Sequence, residues 1–138
     1  MLQQLPSVYY QSNAFTVQYD QNRSLGQSVW QGKMSSEDLK EAFLLCSHVM
    51  EKYKLTRWLA HDRNMKAFSE EDTHWIFENI VPSMLAGPLR RMAIIPSEDK
   101  EQVASVDFLI ERAGDLGDLE VKHFEDENKA LDWLMEEF

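Results

Sequence analysis

The sequence has very few of the residues that mark disulfide-bonded, secreted or membrane proteins. Its one cysteine, Cys46, cannot form an internal disulfide, and a small thiol on the apolar stripe of a helix is typical of a reducing compartment. No window approaches the length of a membrane span, and the N-terminal residues lack the basic and apolar regions of a secretion signal. We therefore expect a cytoplasmic protein without stable membrane insertion.

Positive charge is also scarce. The chain has 14 Lys and Arg against 24 Asp and Glu, which gives a formal net charge of −10. Such a charge repels DNA, RNA and anionic lipid surfaces. Nucleic acid is therefore not an expected partner.

The motifs of the common enzyme classes are missing as well. The four histidines form no close pair at the spacing of a zinc helix, the five glycines are scattered singly, and no serine lies in a nucleophile elbow. We therefore expect no metal, no cofactor and no catalytic residue, and a protein that is not an enzyme.

What the chain does have is the composition of a folded domain. Hydrophobic residues make up 43% of its 138 residues, which is enough for one core without a disulfide or a metal. We predict a single domain over residues 1–138, with residues 1–13 as a mobile leader.

Five segments have the alternating or continuous apolar pattern of strands. Turn residues separate the first two, which predicts an antiparallel hairpin, and the fourth is the most hydrophobic and is expected to be central. The predicted strands are AFTVQYD (from Ala14), LGQSVWQG (from Leu25), TRWLAHD (ending at Asp62), RMAIIP (from Arg91) and a short strand through Leu119 and Val121.

Four helices are predicted from capping signals and from apolar residues at helical spacing. Ser35 and Ser69 each precede an acid by three residues, as in a capping box, and Pro82 is expected to kink or stop the second helix. The third helix follows Pro96, carries VASVDFLI and ends at Gly114. Asp126 is the predicted cap of the last helix, whose apolar stripe is Ala130, Leu131, Leu134 and Phe138.

The predicted order is strand, strand, helix, strand, helix, strand, helix, strand, helix. A hairpin followed by right-handed crossovers gives an α/β fold with a five-stranded, mixed but mostly parallel sheet and four helices.

This order resembles the SpoIIAA-like group of the STAS fold, also described as STAS/SEC14-like, over nearly all of the chain from Phe15. The segments that carry the resemblance are VWQGKMSSEDLKEAF, RWLAHDRNMKAF and HFEDENKALDWL. The resemblance implies a non-enzymatic regulatory or ligand-binding module. In the phospho-regulated members a serine closely follows the acid that ends the third strand, whereas Asp62 is followed here by Arg63, Asn64 and Met65, so we expect no such phosphoserine switch.

Polar residues after the third strand form the best candidate site for a protein partner or a small ligand. The candidate residues are Asp62, Arg63, Asn64, Lys66 and Trp30. A homodimer is compatible with this interpretation. A second basic group, formed by Lys54, Arg57, Arg90 and Arg91, is expected at the opposite end of the strands.

Two other functions are considered. One is a small hydrolase or metal-dependent enzyme that uses His61, Asp62 and His123, although neighbouring strand residues point to opposite faces of a sheet. The other is a carrier of an apolar ligand such as a lipid, which requires a large apolar cavity.

Overall fold

The structure is a computed structural model that describes residues 5–138. It contains six strands and five helices within this range. The strands are β1 (Ser7–Gln11), β2 (Phe15–Asp20), β3 (Leu25–Gly32), β4 (Arg57–Met65), β5 (Arg91–Ile95) and β6 (Glu120–His123). The helices are α1 (Ser36–Lys52), α2 (Glu70–Asn79), α3 (Val81–Ala86), α4 (Lys100–Ala113) and α5 (Glu127–Leu134).

All six strands form one sheet in the order of the chain, β1-β2-β3-β4-β5-β6. β2 is antiparallel to both of its neighbours, β1 and β3, and β3 to β6 are parallel. Because the parallel strands are added in one direction, right-handed crossovers place α1 to α4 on the same face of the sheet. The last helix, α5, packs on the opposite face against Leu59 of β4 and Ile95 of β5.

The helix starts follow the predicted capping residues. The hydroxyls of Ser35 and Ser69 accept hydrogen bonds from the backbone amides of Asp38 and Asp72, each at 3.1 Å. The side chain of Asp126 likewise accepts from the amide of Asn128, at the start of α5. Four predicted helices are therefore found, and VASVDFLI lies in α4 rather than in a strand.

The predicted number of strands was wrong, because the structure has six and not five. The added strand, β1, lies in the segment predicted as a mobile leader, of which residues 1–4 are outside the described part of the chain. β1 was missed because it is a five-residue edge strand with a bulge between Val8 and Tyr10, which interrupts the alternating pattern. β5, which was expected to be central, pairs with strands on both sides, β4 and the edge strand β6.

Two smaller differences concern helix ends. Ile80 ends α2, and α3 begins at once with Pro82 in its first turn, so the proline divides the predicted second helix in two. Phe138 was predicted on the stripe of the last helix, but α5 ends at Leu134 and the Phe138 ring lies 4.6 Å from the guanidinium groups of both Arg57 and Arg91.

A bulge in β4 determines where its side chains point. Val29 of β3 is paired with His61, whereas Gln31 is paired with Asn64, so three steps along β4 oppose two steps along β3. As a result Asp62 and Met65, three residues apart, both face α1 to α4. In an unbroken strand these two residues would point to opposite faces.

Arginine side chains hold the C-terminal end of α5 against the sheet. The Nε atom of Arg57 donates to the carbonyl oxygen of Leu134 at 2.6 Å. The guanidinium group of Arg91 donates to the carbonyl oxygens of Glu136 and Glu137. These bonds satisfy carbonyl groups that an isolated helix end leaves unpaired. Within residues 5–138, none of the helices has the length and apolar character needed to cross a membrane.

Candidate functional site

A cavity of about 140 Å³ lies between the sheet and helices α1 to α4. Its wall is formed almost entirely by apolar and aromatic side chains. Its lining includes Trp30 and Trp58 from the sheet, Phe43 and Met50 from α1, Ile76 from α2, Met84 and Leu85 from α3, Val106 and Ile110 from α4, and Leu116 from the following loop. Protein interiors have few voids larger than a water molecule, so a space of this size is a candidate binding site.

The indole of Trp58 is a fixed part of the wall. Its Nε1 atom donates to the hydroxyl of Ser28 at 3.1 Å, which satisfies the polar atom of a ring that is only 1% exposed. Gly26 on β3 makes room for the ring, because a Cβ atom at that position would lie 2.3 Å from the Trp58 side chain. The absence of a side chain at Gly26 therefore sets the position of Trp58.

Asp62 is the acidic group in this wall. It is buried, and its Oδ2 atom accepts a hydrogen bond from Nε2 of Gln102 at 3.2 Å, while the same Gln102 atom lies 3.2 Å from the sulfur of Met65. Burial raises the pKa of Asp62 to about 6, since removal from water disfavours the charged form, and the bond from Gln102 offsets only part of this effect. A carboxyl group with a pKa near 6 in an otherwise apolar cavity is a typical mark of a functional site.

Cys46 also lines the cavity, at the side of α1 that faces the sheet. Burial is the main cause that raises the pKa of its thiol, and the nearby Asp62 carboxylate raises it further. The thiol is therefore neutral at physiological pH and a poor nucleophile. Cys46 contributes packing to this site, as its position on the helical stripe predicted.

The candidate residues from the sequence separate into two groups. Asp62 and Trp30 both line the cavity. The other three, Arg63, Asn64 and Lys66, are not part of its lining. Asn64 and Lys66 are exposed, and Nη2 of Arg63 donates to the carbonyl oxygen of Glu125 at 2.8 Å.

The secondary structure at these residues differs from the expected loop. β4 continues to Met65, so Asp62 lies within a strand, and its neighbour His61 points to the α5 face. There, Nε2 of His61 lies 3.9 Å from Oε2 of Glu127. His123 is half-exposed and lies 3.6 Å from Asp107, so His61, Asp62 and His123 contact different groups rather than one reacting centre.

The described residues contain no group of three or more His, Cys, Asp or Glu side chains that could hold a metal ion. The predicted basic group is present in part, since Arg57, Arg90 and Arg91 all lie against the ring of Phe138. Arg57 and Arg91 are engaged with the carbonyl groups at the end of α5.

Sequence reasoning missed most of the cavity. Its walls come from β3 to β6 and α1 to α4, and the partners Asp62 and Gln102 are 40 positions apart. No local spacing marks such a site. The available signal was the number of methionines and tryptophans, which the sequence analysis could not place in space.

Comparisons with known proteins agree on the fold. A family model described as SpoIIAA-like matches residues 27–135. The crystal structure of an uncharacterized protein from the DUF3478 family with a SpoIIAA-like fold, from Shewanella loihica PV-4, is similar with a TM-score of 0.59 and 21% sequence identity. That match covers 97% of this chain and 98% of the other. At this identity the likeness shows the fold alone, and no curated protein matches the sequence. Because the family model covers most of the chain, this protein belongs to the SpoIIAA-like family.

Proposed function

We propose that this protein is a non-catalytic module that binds a small apolar ligand between the sheet and helices α1 to α4. The observation that carries the proposal is the cavity of about 140 Å³ with its apolar and aromatic wall. An apolar cavity of about 150 Å³ is large enough for benzene. The ligand is therefore expected to have about six to nine non-hydrogen atoms.

A binding role fits the chemistry of the wall better than a catalytic one. Asp62 has no histidine beside it in the cavity, because His61 points to the other face of β4. The Cys46 thiol is neutral, so it lacks the activation that a nucleophile needs. What remains is an apolar cavity that can hold a molecule and bind one polar group on it.

The proposal includes a regulatory role without a phosphorylated serine next to Asp62. Arg63 and Asn64 follow Asp62, and the nearest serine along the chain, Ser69, uses its hydroxyl to cap α2. A ligand in the cavity touches all of the helices α1 to α4, so its binding would be the event that changes the surface offered to a protein partner. We propose that this takes place in the cytoplasm.

Toluene is a suitable first probe, because it has seven non-hydrogen atoms and no polar group. Titration into ¹⁵N-labelled protein is expected to shift the indole N–H signals of Trp30 and Trp58, which line the cavity. Trp133, which packs on the α5 face, is the internal reference and should not shift.

A variant with a filled cavity tests the location. Ala60 lines the cavity, so Ala60→Leu should reduce the affinity for toluene at least about tenfold by occupying part of the space. Ala104→Leu, at an exposed position of α4, is the matched control. Equal affinity of the wild type and Ala60→Leu, or no binding to the wild type, would overturn the proposed function.

A further inference from the structure

The carboxyl group of Asp62 has no cationic partner in the cavity. Among the described residues that line it, the titratable side chains are Asp62 and Cys46, and none is a lysine, an arginine or a histidine. Gln102 supplies a neutral hydrogen bond to the Oδ2 atom. The charge of an ionised Asp62 is therefore not neutralised by the wall of the cavity.

Two other buried acids, Asp20 and Glu127, are placed differently. Asp20 is also buried, but its Oδ2 atom lies 2.6 Å from Nε of Arg23, and this bond lowers the pKa of Asp20. Glu127 faces His61 across the α5 interface. Asp62 differs because it faces an empty space that could hold a molecule.

Physical chemistry makes this arrangement costly without a ligand. Buried charges in proteins are normally paired, because the loss of hydration is not otherwise compensated. Near neutral pH a carboxyl group with a pKa of about 6 is mostly ionised. A ligand that carried a positive charge would supply the missing partner.

We propose that the ligand of this cavity is a small organic amine, whose ammonium group pairs with Asp62 and whose apolar body fills the remaining space. This inference rests on the proposed function and specifies the chemical class of the ligand. It also excludes fatty acids as ligands, because their carboxylate would lie beside a second carboxylate in a low-dielectric site.

Two further features favour a cation. The cavity wall contains the aromatic rings of Trp30, Phe43, Trp58 and Phe68, and the faces of aromatic rings attract ammonium groups. The formal net charge of −10 attracts cations from solution and repels anions.

Four probes of similar shape separate the contribution of the apolar ring from that of the polar group and its charge. They are benzylamine, benzyl alcohol, toluene and benzoate. All share the benzyl or phenyl group and differ in the polar group and its charge. At pH 7.5, benzylamine is expected to bind at least about tenfold more tightly than toluene, because a bond to an ionised partner is strong in a buried site. Benzoate is expected to bind most weakly.

The pH dependence provides a test in the unmodified protein. Benzylamine stays protonated between pH 5 and 7.5, whereas Asp62, with a pKa of about 6, becomes mostly protonated at pH 5. Affinity for benzylamine should therefore fall roughly tenfold between pH 7.5 and pH 5. Affinity for toluene should not fall. The titratable group that faces Asp62 from α1 is Cys46, which stays neutral, and His61 and Arg63 contact the α5 side of β4.

Asp62→Asn removes the charge and keeps the shape. It should weaken benzylamine binding at least about tenfold and remove its pH dependence, so that the preference for benzylamine over toluene disappears. Asp132→Asn, at an exposed position of α5, makes the same change in net charge and should leave all four affinities unchanged.

The outcomes are distinct. The proposal of an amine ligand is wrong if toluene binds and benzylamine binds no more tightly, or if Asp62→Asn leaves benzylamine binding intact. The proposed apolar binding site would remain in either case. If none of the four probes binds, the proposed function itself is wrong.

Discussion

The two faces of the sheet are packed differently. On the α5 face, Ala93, Ile95, Ala130 and Leu134 have no exposed surface, and one short helix covers the strands. On the other face, four helices cover the strands and still leave a cavity of about 140 Å³ with a buried carboxyl group. The same strands therefore support one filled layer and one incompletely filled layer.

Under the proposed function, this difference divides stability and binding between the two faces of the sheet. A filled layer contributes stability through close packing, because each buried side chain is in contact on all sides. A layer with a cavity gives up part of that contribution and keeps space for another molecule. A small domain can tolerate the loss on one face when the other face is well packed.

The largest expected difference between the faces is the cost of shortening a leucine. Leu134→Ala on the α5 face should lower the free energy of unfolding by about 4 kcal/mol, because the fully buried site cannot collapse. Leu85→Ala, in the cavity wall on α3, should cost only about 1 kcal/mol, because its side chain is partly exposed and already borders empty space. Urea denaturation of both variants measures this, and equal losses would contradict the comparison.

The next effect concerns Asp62. Its pKa is raised from the ordinary value of 3.8 to about 6 by burial, so the folded state binds the proton more tightly than the unfolded chain does. The free energy of unfolding should therefore fall as the pH rises from about 4 to about 6, and stay lower above that range. Asp62→Asn is expected to stabilise the protein by as much as about 3 kcal/mol at pH 8 and very little at pH 4.

Denaturation of Asp62→Asn at several pH values, beside the exposed control Asp132→Asn, measures this gain. Loss of stability at pH 8 in the Asn variant would show that the cavity does not destabilise the charge.

A smaller effect is expected where Arg91 holds the end of α5. Arg91→Met keeps much of the apolar stem but removes the bonds to the carbonyl oxygens of Glu136 and Glu137. The free energy of unfolding should fall by about 2 kcal/mol, because partly buried bonds from a charged donor are lost. Arg90→Met is the control, since Arg90 is exposed and its side chain lies against the Phe138 ring without bonding the end of α5. Amide hydrogen exchange should become faster in α5. Unchanged exchange there would show that Arg91 does not hold the end of this helix.

The smallest expected effect is the contribution of His61 to the pH dependence of stability. Burial lowers the pKa of His61, although Glu127 acts in the opposite direction. The folded state therefore prefers the neutral ring, and the contribution of His61 to stability is complete above the unfolded pKa of about 6.5 and is lost as the pH falls below it. This is opposite in sign to the effect of Asp62.

His61→Gln should accordingly lose less stability than the wild type when the pH is lowered from 7.5 to 5. His74→Gln, with a side chain that is 45% exposed, is the control. If the free energy of unfolding depended on pH in the same way in the wild type and in His61→Gln, the packing of α5 would not hold the ring in its neutral form.

The sequence was sufficient for those parts of the fold that depend on local chemistry. Ser35, Ser69 and Asp126 cap helices where predicted, because a cap requires only the residues of one helical turn. Cys46 was correctly placed on the buried stripe of α1 for the same reason. The strand β1 was missed because its pairing with β2 depends on a partner strand and a bulge rather than on its own alternation.

The candidate site was predictable only in part. Asp62 was selected from the sequence because it ends a strand at the face where open α/β sheets commonly bind ligands. Trp30, in the second predicted strand, was included as a further candidate. Gln102, Met65 and the aromatic wall were not selected, because their approach depends on how α4 packs over the sheet. Arg63, Asn64 and Lys66 were selected with Asp62 because a sequence does not show the face to which each residue of a bulged strand points.

The bulge in β4 makes the candidate site tolerant of a change in chain length at a single position. If the extra residue between Asp62 and Met65 were deleted, Met65 would keep its pairing with Gly32, and the two side chains, then two residues apart, would still share one face of the sheet. Relatives that are one residue shorter here would then keep the same arrangement around the carboxyl group. A gap of one residue at this point of an alignment would therefore not by itself indicate a changed cavity wall.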